Sequence, residues 1–316
     1  MISPAPNSLF LAGSTAVGKT GVAILLAERF GTEIISVDSM LVYRGMDIGT
    51  AKPSANDRER VRHHLIDVAD LSQPFDAAQF VRLALAAEDE IRARGRRVLY
   101  CGGTGLYFKA LLEGLGESPA TDPAIRAELE RTPPDELLSE LARCDPVTYQ
   151  TIHRANLRRV IRALEVTRVS GRPYSELRAP WQARVGDANP PRMIGLRRTL
   201  ADLHARINAR VDAMFQAGLV AEVRHLLDRG LAENRNAMQA LGYRQVAEHL
   251  QGERSLPETI ELVKRRTRQF AKRQMTWFKN QAAVEWVDLA TGTTGEMAAV
   301  QVENTLTFKH LGWPTP

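Results

Sequence analysis

The stretch Gly13-Ser-Thr-Ala-Val-Gly-Lys-Thr20 constrains this chain more than any other, because it matches in full the pattern of two glycines bracketing four residues ahead of Lys and Thr. Ser8 to Ala12 before it is an apolar run of buried-strand length, and Gly21 to Phe30 after it carries Val22, Leu25 and Leu26 at helical spacing. Strand, loop and helix in that order form a cradle for phosphate. Gly13 and Gly18 let the backbone fold tightly round an anion, so that successive N–H groups and the positive end of the helix point at its oxygens. Ser14, Thr15, Ala16 and Val17 supply the backbone between them, and Lys19 adds a point charge. Thr20 has the hydroxyl expected to join the shell of Mg2+, an ion that takes few protein ligands and shares its other positions with water and phosphate. The pattern names the ligand's chemistry and leaves open whether the phosphate belongs to a nucleotide, a diphosphate ester or a leaving group.

With 316 residues the chain can bury a substantial core in one large domain or two. Its 44% hydrophobic and 25% charged residues are those of a soluble globular protein. No apolar run approaches the length that spans a bilayer and the N-terminus lacks a secretory signal, so a cytoplasmic protein without membrane contact is expected. Cys101 and Cys144 are too few for a four-ligand zinc site, and a disulfide is not expected in that compartment. A net charge of +5 permits a polyanionic partner, and the placement of the basic residues says more.

Glu33 to Val37 reads as a second buried strand with Asp38 and Ser39 at its carboxyl end, where open parallel sheets bind their ligands. The plainer alternative for Asp38 is a turn or helix-cap carboxylate. Met40 to Pro53 has no clear period and reads as an active-site loop more than a core element. His63 and His64 are adjacent, so they point apart on a helix or a strand and make poor joint metal ligands. An amphipathic helix runs to Arg94 with Asp76 as its N-cap and Gly95 as its stop. Arg97 to Cys101 is a further strand, and Gly102-Gly-Thr-Gly105 after it should lie near the phosphate loop in a parallel sheet; a permissive turn is the alternative.

From Glu117 onward prolines accumulate, Pro180, Pro190 and Pro191 among them, and strand-like sequence disappears. The expected fold class is therefore α/β, a parallel-sheet core (1–116 and 192–316) interrupted by a mostly helical insertion (117–191). Met193 to Leu196 is the strand that rejoins the sheet, Leu203, Ile207, Val211, Met214 and Phe215 are the apolar face of a helix ended by Gly218, and a shorter helix spans Leu219 to Gly230. Beyond Leu289 no chemistry is evident.

Two basic clusters stand out. Arg154, Arg158, Arg159, Arg162 and Arg168 in the insertion are offset only by Glu165. A helix proposed for Glu258 to Lys279 puts Lys264, Arg268, Lys272 and Lys279 on one stripe and Ile260, Val263, Phe270 and Trp277 on another. One side would pack and the other meet phosphates; a solvated face is the bland alternative. Two such clusters beside a phosphate loop favour RNA or DNA.

Taken together these stretches resemble the tRNA dimethylallyltransferase family. The resemblance is carried, in the family's order, by the phosphate loop, Asp38 through Pro53, His63-His-Leu-Ile-Asp67, Gly102-Gly-Thr104 with Tyr107-Phe-Lys-Ala-Leu111, Arg162-Ala-Leu-Glu-Val166, Gly242-Tyr-Arg-Gln245 and Lys272-Arg-Gln-Met-Thr-Trp277. It implies a nucleotide-kinase-like core with a helical insertion. It also implies transfer of a dimethylallyl group from dimethylallyl diphosphate to N6 of the adenosine on the 3′ side of the tRNA anticodon, with Mg2+ as cofactor; a monomer is expected. By the same resemblance Arg224 contacts the diphosphate, Thr104 positions the adenosine and Arg126 lies near the RNA. The tRNA would meet Asp38, Ser39, Met40 and Leu41, then Arg158, Arg159, Val160, Ile161 and Arg162, then Gln239, Ala240, Leu241, Gly242, Tyr243 and Arg244. The last set is Lys272, Arg273, Gln274, Met275, Thr276, Trp277, Phe278 and Lys279. The phosphate loop departs from many members at Ser14, where they have proline, and at Val17, where they have serine. The chemistry fits: adenine N6 must lose a proton on alkylation, and Asp38 is the candidate acceptor. A small-molecule kinase and a non-catalytic RNA-binding NTPase are the competing assignments that the loop alone permits.

Overall fold

The structure, a computed structural model, describes residues 4–5, 8–178 and 193–308. Six strands, β1 (Leu9–Gly13), β2 (Glu33–Val37), β3 (His63–His64), β4 (Val98–Gly102), β5 (Met193–Arg198) and β6 (Val284–Leu289), form one sheet in the order β3-β2-β4-β1-β5-β6. Every pairing is parallel. A parallel sheet must be covered on both faces, and β1 and β2 are buried along their whole length. Alternation decides which residue meets which layer: Phe10 stacks on Tyr100 at 5.0 Å between ring centres, whereas Leu9 and Leu11 enter the opposite layer.

The helices of the core before the insertion are α1 (Lys19–Phe30), α2 (Ala55–Arg60), α3 (Ala77–Ala93) and α4 (Gly105–Glu113). Asp76 caps α3 by accepting from the Gln79 amide at 2.8 Å, and Gly31 ends α1 with φ 61°. The insertion holds α5 (Pro123–Arg131), α6 (Pro134–Cys144), α7 (Pro146–Thr151), α8 (Leu157–Ser170) and α9 (Tyr174–Leu177). After it come α10 (Leu200–Gln216), α11 (Leu219–Leu227), α12 (Tyr243–Leu250), α13 (Leu256–Gln281) and α14 (Gly295–Phe308).

The described residues fall in two compact units, one drawn from Met1–Leu112 and Asp187–Pro316, the other from Glu113–Gly186. The insertion thus starts at Glu113 and not Glu117; its expected far boundary, with Pro180, Pro190 and Pro191, lies outside the described residues. Taken by itself, the insertion has a small core of Leu129, Leu137, Leu141, Val160, Ala163 and Leu164. Several core elements have no counterpart in the expectations, β6 and α14 among them. β6 is an edge strand whose hydrophobic alternation is broken by Glu285 and Asp288, and α14 buries Ala298, Ala299, Val302 and Leu306 in the layer that holds α1. Arg29 of α1 ties the two helices together through Glu303 at 2.8 Å and through Glu296. Among the described residues no helix is long and apolar enough to cross a membrane.

The topology puts the carboxyl ends of β1, β2, β4 and β5 on one edge, with Ala12 and Val37 each in register with Gly102 and Gly13 in register with Leu196. Phe108 of α4 locks this edge to α13, packing edge-on against Phe10 at 6.4 Å and Phe278 at 5.9 Å while fully buried. Phe108→Ala is expected to destabilise the fold by about 3–5 kcal/mol, visible as a lowered midpoint in chemical denaturation.

Candidate active site at the carboxyl edge of the sheet

The loop between β1 and α1 takes the shape its glycines foretell. Gly13 and Gly18 have φ 151° and 111°, and a Cβ on Gly13 would lie 2.8 Å from the Leu196 carbonyl oxygen. Ala16 also has a positive φ, 63°, which costs about 1–2 kcal/mol for a residue with a side chain. What holds the loop is a set of cations on its carbonyl oxygens. Lys19 Nζ donates to Ser14 O at 2.7 Å, Arg206 Nε to Ala16 O at 2.9 Å and Arg198 Nε to Val17 O at 2.9 Å. Of the amides on these three peptides, that of Thr15 donates to Gln274 Oε1 at 2.8 Å and that of Val17 to Ser14 O at 3.4 Å, which leaves that of Gly18 for the cradle. Those of the first turn of α1 have no acceptor within the helix and complete it.

The charges are packed closely. Burial pulls the Lys19 ammonium down to about 8; Arg210 pushes the same way, and Asp38 works against them. Burial also lowers the guanidiniums of Arg206 and Arg210, and a neighbouring arginine adds to each shift, Arg198 on Arg206 and Arg206 on Arg210. Arg198 is offset by Asp202 at 2.9 Å and by the carbonyls of Ala290 and Thr293. Cys101 sits beside Lys19 with its thiol pushed up to about 12 by burial, so it stays a neutral packing group. Lys19, Arg206 and Arg210 crowd together with no carboxylate in a salt bridge to any of them among the described residues, which suits a site that takes an anion. Arg224, which the resemblance assigned to this anion, is exposed on α11, and no interaction joins it to the loop among the described residues. Arg198, Arg206 and Arg210 are what the sequence reading missed. Arg206 and Arg210 lie one helical turn apart, but only the pairing of β1 with β5 brings that helix to the loop.

Asp38 and Thr104 are brought together at the ends of β2 and β4. Thr104 donates its amide to Val37 O at 3.2 Å and accepts the Ser39 amide on Oγ1 at 3.1 Å. Asp38 Oδ1 accepts from the Met40 amide at 2.8 Å and from Leu41 at 3.4 Å, a local turn of the kind expected of a strand-end carboxylate. Its Oδ2 has no hydrogen-bond donor among the described residues and is available to a ligand. The glycines of the neighbouring turn mark close approach: a Cβ on Gly102 would lie 2.0 Å from Val37 O, and one on Gly105 2.3 Å from the Trp277 ring.

The segment after Asp38 is less of a free loop than expected, since Val42, Tyr43 and Met46 are fully buried. Glu222 of α11 anchors it, accepting the amides of Asp47, Ile48 and Gly49 at 3.1, 2.8 and 3.2 Å and the Tyr243 hydroxyl at 2.6 Å. Tyr243 and Ala240 are therefore core side chains, Gly242 is buried and Leu241 half-buried; of that set Gln239 and Arg244 are exposed.

The helix α13 corrects the predicted stripes. Its buried seam is Thr259, Val263, Thr267, Ala271, Gln274 and Phe278, so Phe270 is off the seam and carries the Arg273 guanidinium over its ring at 5.7 Å. Lys264 and Arg268 are not a free basic face: Lys264 pairs with Asp212 at 2.8 Å and Glu261 at 2.9 Å, and Arg268 donates to Asn208 at 2.6 Å. Helical periodicity misled here because three seam residues are polar. Lys272, Arg273, Thr276 and Lys279 are exposed, while Met275 and Trp277 are half-buried.

Within the insertion, Val160 and Ile161 belong to its core, and Arg158 and Arg159 are exposed. Arg126 and Arg162 converge on the buried Glu165, at 3.5 and 2.8 Å, and Arg168 pairs with Glu128 and Glu140. The acids that balance this cluster come from helices α5 and α6, out of reach of a local reading.

A family model described as IPP transferase matches residues 41–281. A tRNA dimethylallyltransferase 2 from Geotalea uraniireducens is 46% identical over 285 residues, 89% of this chain and 91% of that protein. The chain belongs to the tRNA dimethylallyltransferase family. Among solved structures, the full-length tRNA isopentenylpyrophosphate transferase of Bacillus halodurans is 39% identical with a TM-score of 0.66, covering 97% of this chain and 100% of that one. A eukaryotic dimethylallyltransferase described as acting on tRNA is 26% identical with a TM-score of 0.79, over 96% of this chain and 79% of its own. As a tRNA dimethylallyltransferase family member the chain is a transferase, with the parallel α/β core expected of it.

For this family member the Lys19 shift has a pH consequence. Above about 8 the free ammonium loses its proton, and a neutral amine attracts an anion less. Calorimetry with inorganic diphosphate should find affinity falling as pH rises through that value, by up to about tenfold per pH unit, with the fall absent in Lys19→Met.

Proposed function

We propose that this protein transfers a dimethylallyl group from dimethylallyl diphosphate to the exocyclic N6 of the adenosine on the 3′ side of a tRNA anticodon, acting as a monomer. The observation that carries the reading is the pairing of an anion cradle with a carboxylate on one sheet edge, close enough that Asp38 acts on the Lys19 ammonium. In the reaction the bond from N6 to the first dimethylallyl carbon forms as the bond from that carbon to the diphosphate oxygen breaks. Diphosphate leaves with the electron pair, and N6 gives up its proton to Asp38 Oδ2. Lys19, the first-turn amides of α1 and the arginines of the cradle stabilise charge as it builds on the leaving oxygen. Arg210 stands in this reading where Arg224 was expected.

Among the described residues no group of three or more His, Cys, Asp or Glu side chains could hold a metal ion. Mg2+ would need one protein oxygen here, with phosphate and water supplying the rest. The exposed Thr20 hydroxyl in the first turn of α1 would hold it, and the ion would neutralise charge on the departing diphosphate. The adenine must leave its stack to be alkylated, which an anticodon loop permits at lower cost than a duplex. Thr104, by holding Ser39, keeps the Asp38 turn in place for it. Exposed Lys272, Arg273 and Lys279 of α13 are among the cations of the core that would meet RNA phosphates.

The test is incubation with radiolabelled dimethylallyl diphosphate and unmodified tRNA, with ATP as rival donor. Label is expected in tRNA; phosphoryl transfer from ATP with none in tRNA would overturn the reading. Asp38→Ala should lower single-turnover alkylation by roughly 10²–10⁴-fold and leave tRNA affinity in filter binding unchanged, since the carboxylate acts on the amine and not on the RNA backbone.

A further inference from the structure

Gln274 is a polar side chain inside the seam of α13, 8% exposed and flanked by Ala271 and Phe278. A buried amide is costly unless both of its ends are bonded. Both are: Oε1 accepts the Thr15 amide at 2.8 Å, and Nε2 donates to Gly103 O at 2.9 Å. One side chain thus spans from the helix to the phosphate loop and to the turn after β4. The fit is tight, since a Cβ on Gly103 would lie 2.5 Å from Gln274 Nε2 and 3.3 Å from Gly13 O.

The peptide between Ser14 and Thr15 is the point of leverage. Gln274 takes its N–H, and Lys19 donates to its carbonyl oxygen at 2.7 Å. If that peptide turned over, its oxygen would meet Gln274 Oε1 and Lys19 would lose the contact that parks it. On the other side, Gly103 precedes Thr104, which holds the Ser39 amide next to Asp38. We propose that Gln274 is a positioning residue for the donor: it fixes the Ser14–Thr15 peptide so that the loop stays shaped for diphosphate, and it does so from the helix whose outer face carries Lys272 and Arg273. The role needs an acceptor toward Thr15 and a donor toward Gly103, which glutamine supplies in one planar group. Glutamate keeps the acceptor, sets a second oxygen against Gly103 O and adds negative charge beside an anion site. Methionine fills the volume and keeps neither bond.

This inference rests on the donor being a diphosphate, so its test uses inorganic diphosphate binding by the full chain as well as turnover. Gln274→Met is expected to weaken inorganic diphosphate and raise the donor KM by about tenfold, the contribution of the one lost hydrogen bond that acts on the loop, with kcat within a few-fold. Gln274→Glu should weaken diphosphate further. A role confined to packing would lower the thermal midpoint and leave diphosphate affinity as in the parent, which overturns the proposal. Should Gln274→Met fail to fold, Gln274→Glu decides; failure of both to fold makes the residue structural and overturns it equally. If the parent binds diphosphate but transfers nothing to tRNA, the proposed function falls while the Gln274 comparison still stands on the binding data.

Discussion

A loop that is to bind an anion through its amides must keep its own oxygens turned away, and the rest of this site follows from how that is done. The carbonyls of Ser14, Ala16 and Val17 each have a cation, drawn from α1, α10 and the end of β5. Lys19 and Arg206 there, with Arg210 beside them, all have lowered proton affinity, through burial first and a neighbouring arginine second. The arrangement works against stability until a ligand arrives, a common property of sites organised for binding. The parallel sheet makes it possible, because β4 and β5 flank β1 and deliver their carboxyl ends to the same edge.

Much of this was legible in the sequence where the signal is local. The phosphate loop, the strand ending at Asp38 and the turn at Gly102–Gly105 each carry their own residues, and each lies where a parallel sheet would put it. What escaped depends on partners far away in the chain. Arg198 meets Val17 across 181 positions and Arg206 meets Ala16 across 190, distances over which no periodicity speaks. The edge strand β6 escaped because its alternation is weak, and α14 because it packs mainly on α1, at the far end of the chain.

The helix α13 shows the limit of reading a face from hydrophobicity. Thr259, Thr267 and Gln274 are buried polar residues that satisfy themselves, the threonines within the helix and Gln274 on two loops. A wheel that treats polar as outward must misplace that seam, and with it the basic stripe. The insertion repeats the lesson in charge: Arg126 and Arg162 share one buried carboxylate, Glu165, whose remaining oxygen also accepts the Asp122 amide at 3.1 Å. Their guanidiniums are held further by Glu130 for Arg126 and by the Pro119 carbonyl for Arg162.

The clasp at Glu222 bears on how much of the protein must reorganise around an RNA base. With three consecutive amides and a tyrosine hydroxyl gathered on one carboxylate, the far end of the segment that begins at Asp38 is already immobilised. An arriving nucleotide would find a finished wall on that side, and ordering entropy would be lost by the RNA and by exposed lysines and arginines instead of by the backbone that carries Asp38.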